Sequence, residues 1–177
     1  GHQVSSFQRS FSTELERLGV QQVLGALHDR DKVLEALQNQ DAVIHNAAKA
    51  SGWGSWNDFY QTNVLGTQNI IEGCLQLSIQ KLVYTSTPSV VHQGRTAVAG
   101  GNENNTPYAA HFSAHYPHTK MLAEKLLLAA NGQQLATVAL RPRLIWGPGD
   151  TQLLPRFVAR AKAGKLRFIG SGENKMD

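Results

Sequence analysis

Residues 41–48 read DAVIHNAA, a nearly continuous apolar run of strand length, the pattern of a parallel strand buried on both faces. On its N-terminal side, DRDKVLEALQNQ (29–40) has helical spacing behind an aspartate cap. On its C-terminal side the spacing predicts a long helix from about Trp56 to Leu77, with Ile70, Ile71, Cys74 and Leu77 on one face. Working outward, HQVSSF (2–7), GVQQVLGAL (19–27), KLVYTST (81–87) and LATVALRP (135–142) read as further strands, and a polar segment joins the first two. Leu122, Leu126 and Ala129 mark a helix opening at YPHTK (116–120), another helix runs from about Leu154 to Ala163, and KLRFIG (165–170) closes the chain as a strand candidate. Strands alternating with helices predict βαβ units, a parallel sheet and right-handed crossovers.

With 177 residues, 41% of them apolar, and charges of both signs intermixed, the composition suits a soluble globular chain. No apolar run reaches the roughly 20 residues of a membrane span, and GHQVSSFQRS has no signal-peptide pattern, so a cytoplasmic protein is expected. The one cysteine, Cys74, falls in an apolar helical pattern and reads as core filling. A net charge of +4 is spread along the chain without a nucleic-acid motif and suits an anionic small ligand instead. His111, His115 and His118 are spaced like metal ligands, but no cysteine or carboxylate accompanies them at ligand spacing, and no metal site is expected. The polar stretch 88–114, rich in glycine and asparagine, is too long for a bare connection and lies over the carboxyl edge of the sheet, where α/β proteins bind ligands.

Four stretches converge on that edge: VIHNAA (43–48), VYTSTPSV (83–90), YPHTK (116–120) and LRPRLIWGPGD (140–150). Together with NVLGTQNIIEGC (63–74), their order resembles the extended short-chain dehydrogenase/reductase family over essentially the whole chain. VYTSTPSVV and ASGWGSW look most like its 3β-hydroxysteroid dehydrogenase branch, including the bacterial 2-alkyl-3-oxoalkanoate reductases of olefinic hydrocarbon synthesis. The resemblance implies a Rossmann-like, doubly wound parallel sheet and an NAD(P)-dependent enzyme interconverting a secondary alcohol and a ketone on an apolar substrate.

The resemblance also implies the site. Tyr116 is the general acid/base; bringing its phenol from about 10 to near neutrality asks for about 4 kcal/mol of phenolate stabilisation, at about 1.4 kcal/mol per pH unit. Lys120, one turn away, and the oxidised nicotinamide supply positive charge, and Lys120 also reaches the nicotinamide ribose. Thr87 hydrogen-bonds the substrate oxygen, with Ser86 as the alternative. Asn63 either helps hold a water near the lysine or packs within its helix. Ala47 and Ala48 let the cofactor approach the backbone, and Pro142 and Arg143 flank the nicotinamide. Trp53 and Trp56 either line an apolar pocket or cover a helix start. At the end of the first strand here, Gln8 and Arg9 stand where NAD-dependent folds place an acid, so NADP is expected over NAD.

The family's glycine-rich turn and central first strand have no counterpart in GHQV, and the substrate region is short. A fragment is therefore expected: residues 1–147 as a partial dinucleotide-binding domain, and 148–177 as the start of a substrate-binding region. A homodimer is compatible with this reading. Rival functions are epimerisation of a nucleotide sugar, for which the same Thr, Tyr and Lys would serve, and a non-catalytic dinucleotide-binding protein. Retention of Tyr116 with Lys120 argues against the latter, and Pro88 and Ser89 replace the acids that a dehydratase would need after Thr87.

Overall fold

The computed structural model describes residues 1–51, 53–92, 98, 100–151, 153–167 and 170–171. They form two compact units, Gly1–Arg141 and Pro142–Asp177. In the first unit β1 (Ser5–Gln8) pairs in parallel with β2 (Gln21–Leu24), and β3 (Ala42–His45) with β4 (Lys81–Thr85), which pairs in turn with β5 (Ala136–Leu140). The sheet is thus split as β1-β2 and β3-β4-β5, and the break falls where a central strand was expected.

Helices make the crossovers. The stretch between β1 and β2 was read as polar connection but holds a short helix, α1 (Thr13–Arg17), whose Ser12 cap accepts from the Leu15 amide. Five residues carry no hydrophobic periodicity, and the cap alone gave the signal. Asp29 caps α2 (Arg30–Leu37) as expected, through the Lys32 amide. The long helix is not uniform: α3 (Trp56–Phe59), opened by a Ser55–Asp58 capping box, widens into a π-helical stretch, Tyr60–Leu65, before α4 (Gly66–Gln76). Such widenings recur at functional sites. Gly66 and Gly73, two turns apart on α4, let it press onto its neighbours: a Cβ on either would meet Leu27 or Leu37 at 2.5 Å. A 3₁₀ turn, Pro88–Val90, follows β4, and α5 (His115–Ala129) carries Tyr116 in its first turn, where Pro117 is tolerated.

Two burial expectations need correction. On α5 the buried stripe is Lys120, Ala123, Glu124 and Leu127, whereas Leu126 is exposed. Polar side chains can occupy a buried stripe when each finds a partner, and these do. On β3, His45 is buried but Ile44 is 70% exposed, because among the described residues helices cover only one face of β3-β4-β5. On that covered face Leu82 and Tyr84 of β4 join Ile71, Cys74 and Leu127 in the core, so Cys74 fills space as expected. In the second unit, α6 (Leu154–Lys162) forms where helical spacing predicted it, whereas 165–167 of the last strand candidate are irregular and its residues 168 and 169 lie outside the described residues.

Candidate active site

The carboxyl ends of β1, β2 and β3 open onto a cleft of about 870 Å³, lined by Gln8 and Arg9, by Gly25 to His28 and by Ala47 to Ser51. Small residues leave room beside the backbone there. Gln8 lines the cleft with its side-chain amide engaged: Nε2 donates to Gln22 Oε1 at 2.8 Å, and Gln22 in turn holds the Ser12 backbone. Arg9 is exposed and has no hydrogen-bond or ion-pair partner among the described residues.

Asn63 lies in the π-helical stretch and is 1% exposed. Its Oδ1 accepts from the Lys49 amide at 2.7 Å, while Nδ2 donates to the Lys49 carbonyl at 3.1 Å and to Thr119 Oγ1 at 3.0 Å. Asn63 therefore clamps the loop after β3, just beyond Ala47 and Ala48, to α5. This geometry serves packing and positioning of that loop.

Around Tyr116 the side chains are crowded and polar. Burial pushes its phenol above the ordinary value, and the Thr87 side chain partly offsets this. Thr87 Oγ1 accepts from the Ser89 amide and donates to Ser89 Oγ, each at 3.2 Å. Ser86, the alternative, is turned to the Glu124 carboxylate. Lys120 is buried, donates to the Thr85 carbonyl at 2.7 Å, and sits 4.0 Å from the centre of the Tyr84 ring. Burial lowers its pKa to about 8, opposed by the charge of Glu124. His45 hydrogen-bonds Thr67 Oγ1 at 2.9 Å and is held neutral, its pKa lowered to about 3 by burial and by Lys120. The phenol is thus raised by the protein's own burial, opposite to what catalysis requires, and the positive charge that lowers it must act against that burial.

Two of the three histidines, His115 and His118, have aromatic work. His115 packs edge-on against Trp56 and Phe59, and His118 stacks on Phe112 and against Trp56, so Trp56 covers the start of its helix and of α5. Trp53 is 90% exposed. Pro142 and Arg143 belong to the second unit.

A group the sequence reading missed stands beside the site. Glu124 is 1% exposed and accepts hydrogen bonds from Ser86, from Tyr108 at 2.9 Å, and from Arg141 through both Nε and Nη2. An acid one turn beyond Lys120 and an arginine closing an apolar strand were the available signals.

The sequence pattern of the 3-beta hydroxysteroid dehydrogenase/isomerase family matches residues 4–177. The chain belongs to that family. It is 52% identical over 177 residues to the 2-alkyl-3-oxoalkanoate reductase of Stenotrophomonas maltophilia, covering 100% of this chain and 54% of that protein. It is 45% identical to the Shewanella oneidensis protein of the same name, covering 100% of this chain and 47% of the relative. The chain thus spans about half the length of these curated relatives. Its fold is that of the Bordetella bronchiseptica enzyme WbmH, solved in complex with NAD+, with a TM-score of 0.77 and 22% identity over 93% of this chain and 56% of that one. Membership of the 3-beta hydroxysteroid dehydrogenase/isomerase family makes the Rossmann-like reading of the split parallel sheet a matter of fact. Among the described residues no helix of this family member is long and apolar enough to cross a membrane.

Proposed function

We propose that the protein is an NAD(P)-dependent oxidoreductase interconverting a secondary alcohol and a ketone, with a 2-alkyl-3-oxoalkanoate as the leading substrate. The observation that carries this is the placing of Thr87 just after β4, of Tyr116 and Lys120 one turn apart on α5, and of the Lys120 ammonium on the Thr85 carbonyl at the end of β4. Family membership and the names of the two reductases support the same reading.

The residues present fit a dinucleotide. Small residues line the cleft at Ala47 and Ala48, and Arg9, without an ion-pair partner among the described residues, offers its guanidinium there. Because Gln8 has committed its amide to Gln22, Arg9 is the group left to hold a ribose 2′-phosphate, which favours NADP over NAD. Lys120 would reach the nicotinamide ribose; Pro142 and Arg143, expected to flank the nicotinamide, lie in the second unit. When bound, the cofactor supplies or accepts the hydride at the substrate's carbinol carbon.

The chain's own side chains handle the proton. In the reducing direction the Tyr116 phenol gives its proton to the carbonyl oxygen as that oxygen becomes an alcohol; in the reverse direction the phenolate takes it back. The Ser89 amide holds the Thr87 oxygen in place while the hydroxyl proton is free to turn from Ser89 Oγ to the substrate oxygen. Lys120, as an ammonium ion, favours the phenolate. Asn63 keeps the loop carrying Ala47 and Ala48 in register with α5.

Residues 1–147 then act as dinucleotide-binding region and 148–177 as the beginning of a substrate region, in a cytoplasmic enzyme that acts on an apolar ketone or alcohol and assembles as a homodimer. The test offers the intact enzyme a 2-alkyl-3-oxoalkanoate with NADPH or NADH and follows nicotinamide absorbance. Oxidation of the cofactor with stoichiometric alcohol is expected. No turnover of the ketone, together with epimerisation of a nucleotide sugar, would replace this reading with its rival.

A further inference from the structure

Glu124 lies one turn beyond Lys120 and two beyond Tyr116 on α5, and the chemistry above leaves it without a task. Its carboxylate gathers three separate chain segments: Ser86 after β4, Tyr108 before α5, and Arg141 after β5. The Ser86 amide also donates to the Leu140 carbonyl at 2.6 Å, tying the ends of β4 and β5 together. A buried carboxylate–guanidinium pair adds little net stability compared with apolar packing, so its worth lies in the geometry and charge it imposes. Ser86 is the residue before Thr87, and pinning it to α5 delivers the Thr87 side chain to Tyr116 on the same helix.

We propose, resting on the function above, that Glu124 is a positioning residue: through Ser86 it holds Thr87 at Tyr116, and through its charge it keeps Lys120 an ammonium ion. The groups facing Lys120 are Glu124 on its own helix, the Thr85 carbonyl and the Tyr84 ring on β4, and neutral His45 on β3. Among them Glu124 is the one anion, set against a burial that pushes the lysine down to about 8. Facing Glu124 in turn are Arg141, Tyr108, Ser86 and Tyr84, with Lys125 over the Tyr108 ring. Burial pushes the Glu124 carboxyl up, but hydrogen bonds from Arg141, Ser86 and Tyr108 outweigh it and keep the group ionised. With a glutamine at 124, Lys120 loses that opposing charge and releases its proton at lower pH.

Two variants of the intact enzyme separate position from charge, with Tyr116→Phe measured alongside. Glu124→Gln is expected to lose about tenfold in kcat, with cofactor KM little changed, and to move the alkaline limb of the kcat profile down by about half a pH unit or more. Ser86→Ala keeps every charge and is expected to lose several-fold in kcat with the alkaline limb where wild type has it. A folded Glu124→Gln with wild-type kcat, or with lowered thermal stability and an unmoved limb, overturns the proposal. Should that variant not fold, Ser86→Ala with wild-type kcat overturns it instead. If Tyr116→Phe keeps its turnover, the function itself is misread; if Tyr116→Phe is inactive while both other variants behave as wild type, only the role of Glu124 falls.

Discussion

The region built on β3, β4, β5 and α5 and the region built on β1 and β2 are organised by different means. In the first, His45, Tyr84, Lys120 and Glu124 are all at most 3% exposed, and hydrogen bonds or ring contacts fix each one. In the second, no strand residue is fully buried, and the loop after β1 is held by the part-buried amides of Gln8 and Gln22. The end proposed to carry the acid/base is therefore specified many times over by the chain, whereas the end proposed to face the adenosine ribose depends on a few surface contacts. Changes in the first region should cost stability or turnover; changes in the second should alter selectivity.

The broadest test compares packing. Leu127→Ala, at a position with no exposure, is expected to cost about 2–5 kcal/mol of unfolding free energy, and Leu24→Ala on β2, 42% exposed, less than about 1 kcal/mol. Denaturant unfolding of both variants measures the difference, and equal losses would erase the contrast. For chemistry, Tyr116→Phe is expected to remove at least about a hundredfold of turnover with cofactor affinity unchanged. Lys120→Ala should weaken both turnover and cofactor binding. A Tyr116→Phe enzyme with near-normal turnover would place the acid/base elsewhere.

The buried titratable groups predict a pH response confined to the first region. His45 is neutral in the folded chain down to about 3, whereas the unfolded chain takes up a proton below about 6.5. Stability from this group is present above that window and falls as pH drops through it, by on the order of 2 kcal/mol between pH 6.5 and 5 at about 1.36 kcal/mol per unit. Melts of wild type and His45→Gln across that range should show the variant losing less on acidification; parallel curves would assign the acid response to other groups. The smallest effect belongs to the second region. Gln8→Asp with Arg9→Ala should shift the ratio of kcat/KM for NADPH over NADH toward NADH by about tenfold, near 1.4 kcal/mol, without loss of folding. An unchanged ratio would remove Arg9 from cofactor selection.

Much of this was legible from local pattern. Caps such as Asp29, the spacing of Ile70, Ile71 and Cys74, and the short apolar runs at β3, β4 and β5 state their elements directly, because propensity and periodicity act over a few residues. The tyrosine and lysine one turn apart, with a threonine after a strand, gave candidate chemistry only through the family resemblance that assigns them roles. α1 escaped because five residues are too few to show a period.

What the sequence by itself determined was the order of elements and the identity of the groups that could react, since both follow from residue type and near-neighbour spacing. Which face of α5 would be buried was a matter for the tertiary structure. Apolarity alone would have turned Leu126 inward; instead Lys120 and Glu124 are buried, because Thr85, Tyr84, Ser86, Tyr108 and Arg141 arrive from distant parts of the chain to satisfy them. The direction in which Ser86 points was decided at the same level, by a carboxylate thirty-eight positions away in the sequence that accepts a hydrogen bond from its hydroxyl. A buried polar group is stable only with its partners in place, and those partners are chosen by the fold, not by their neighbours in the chain.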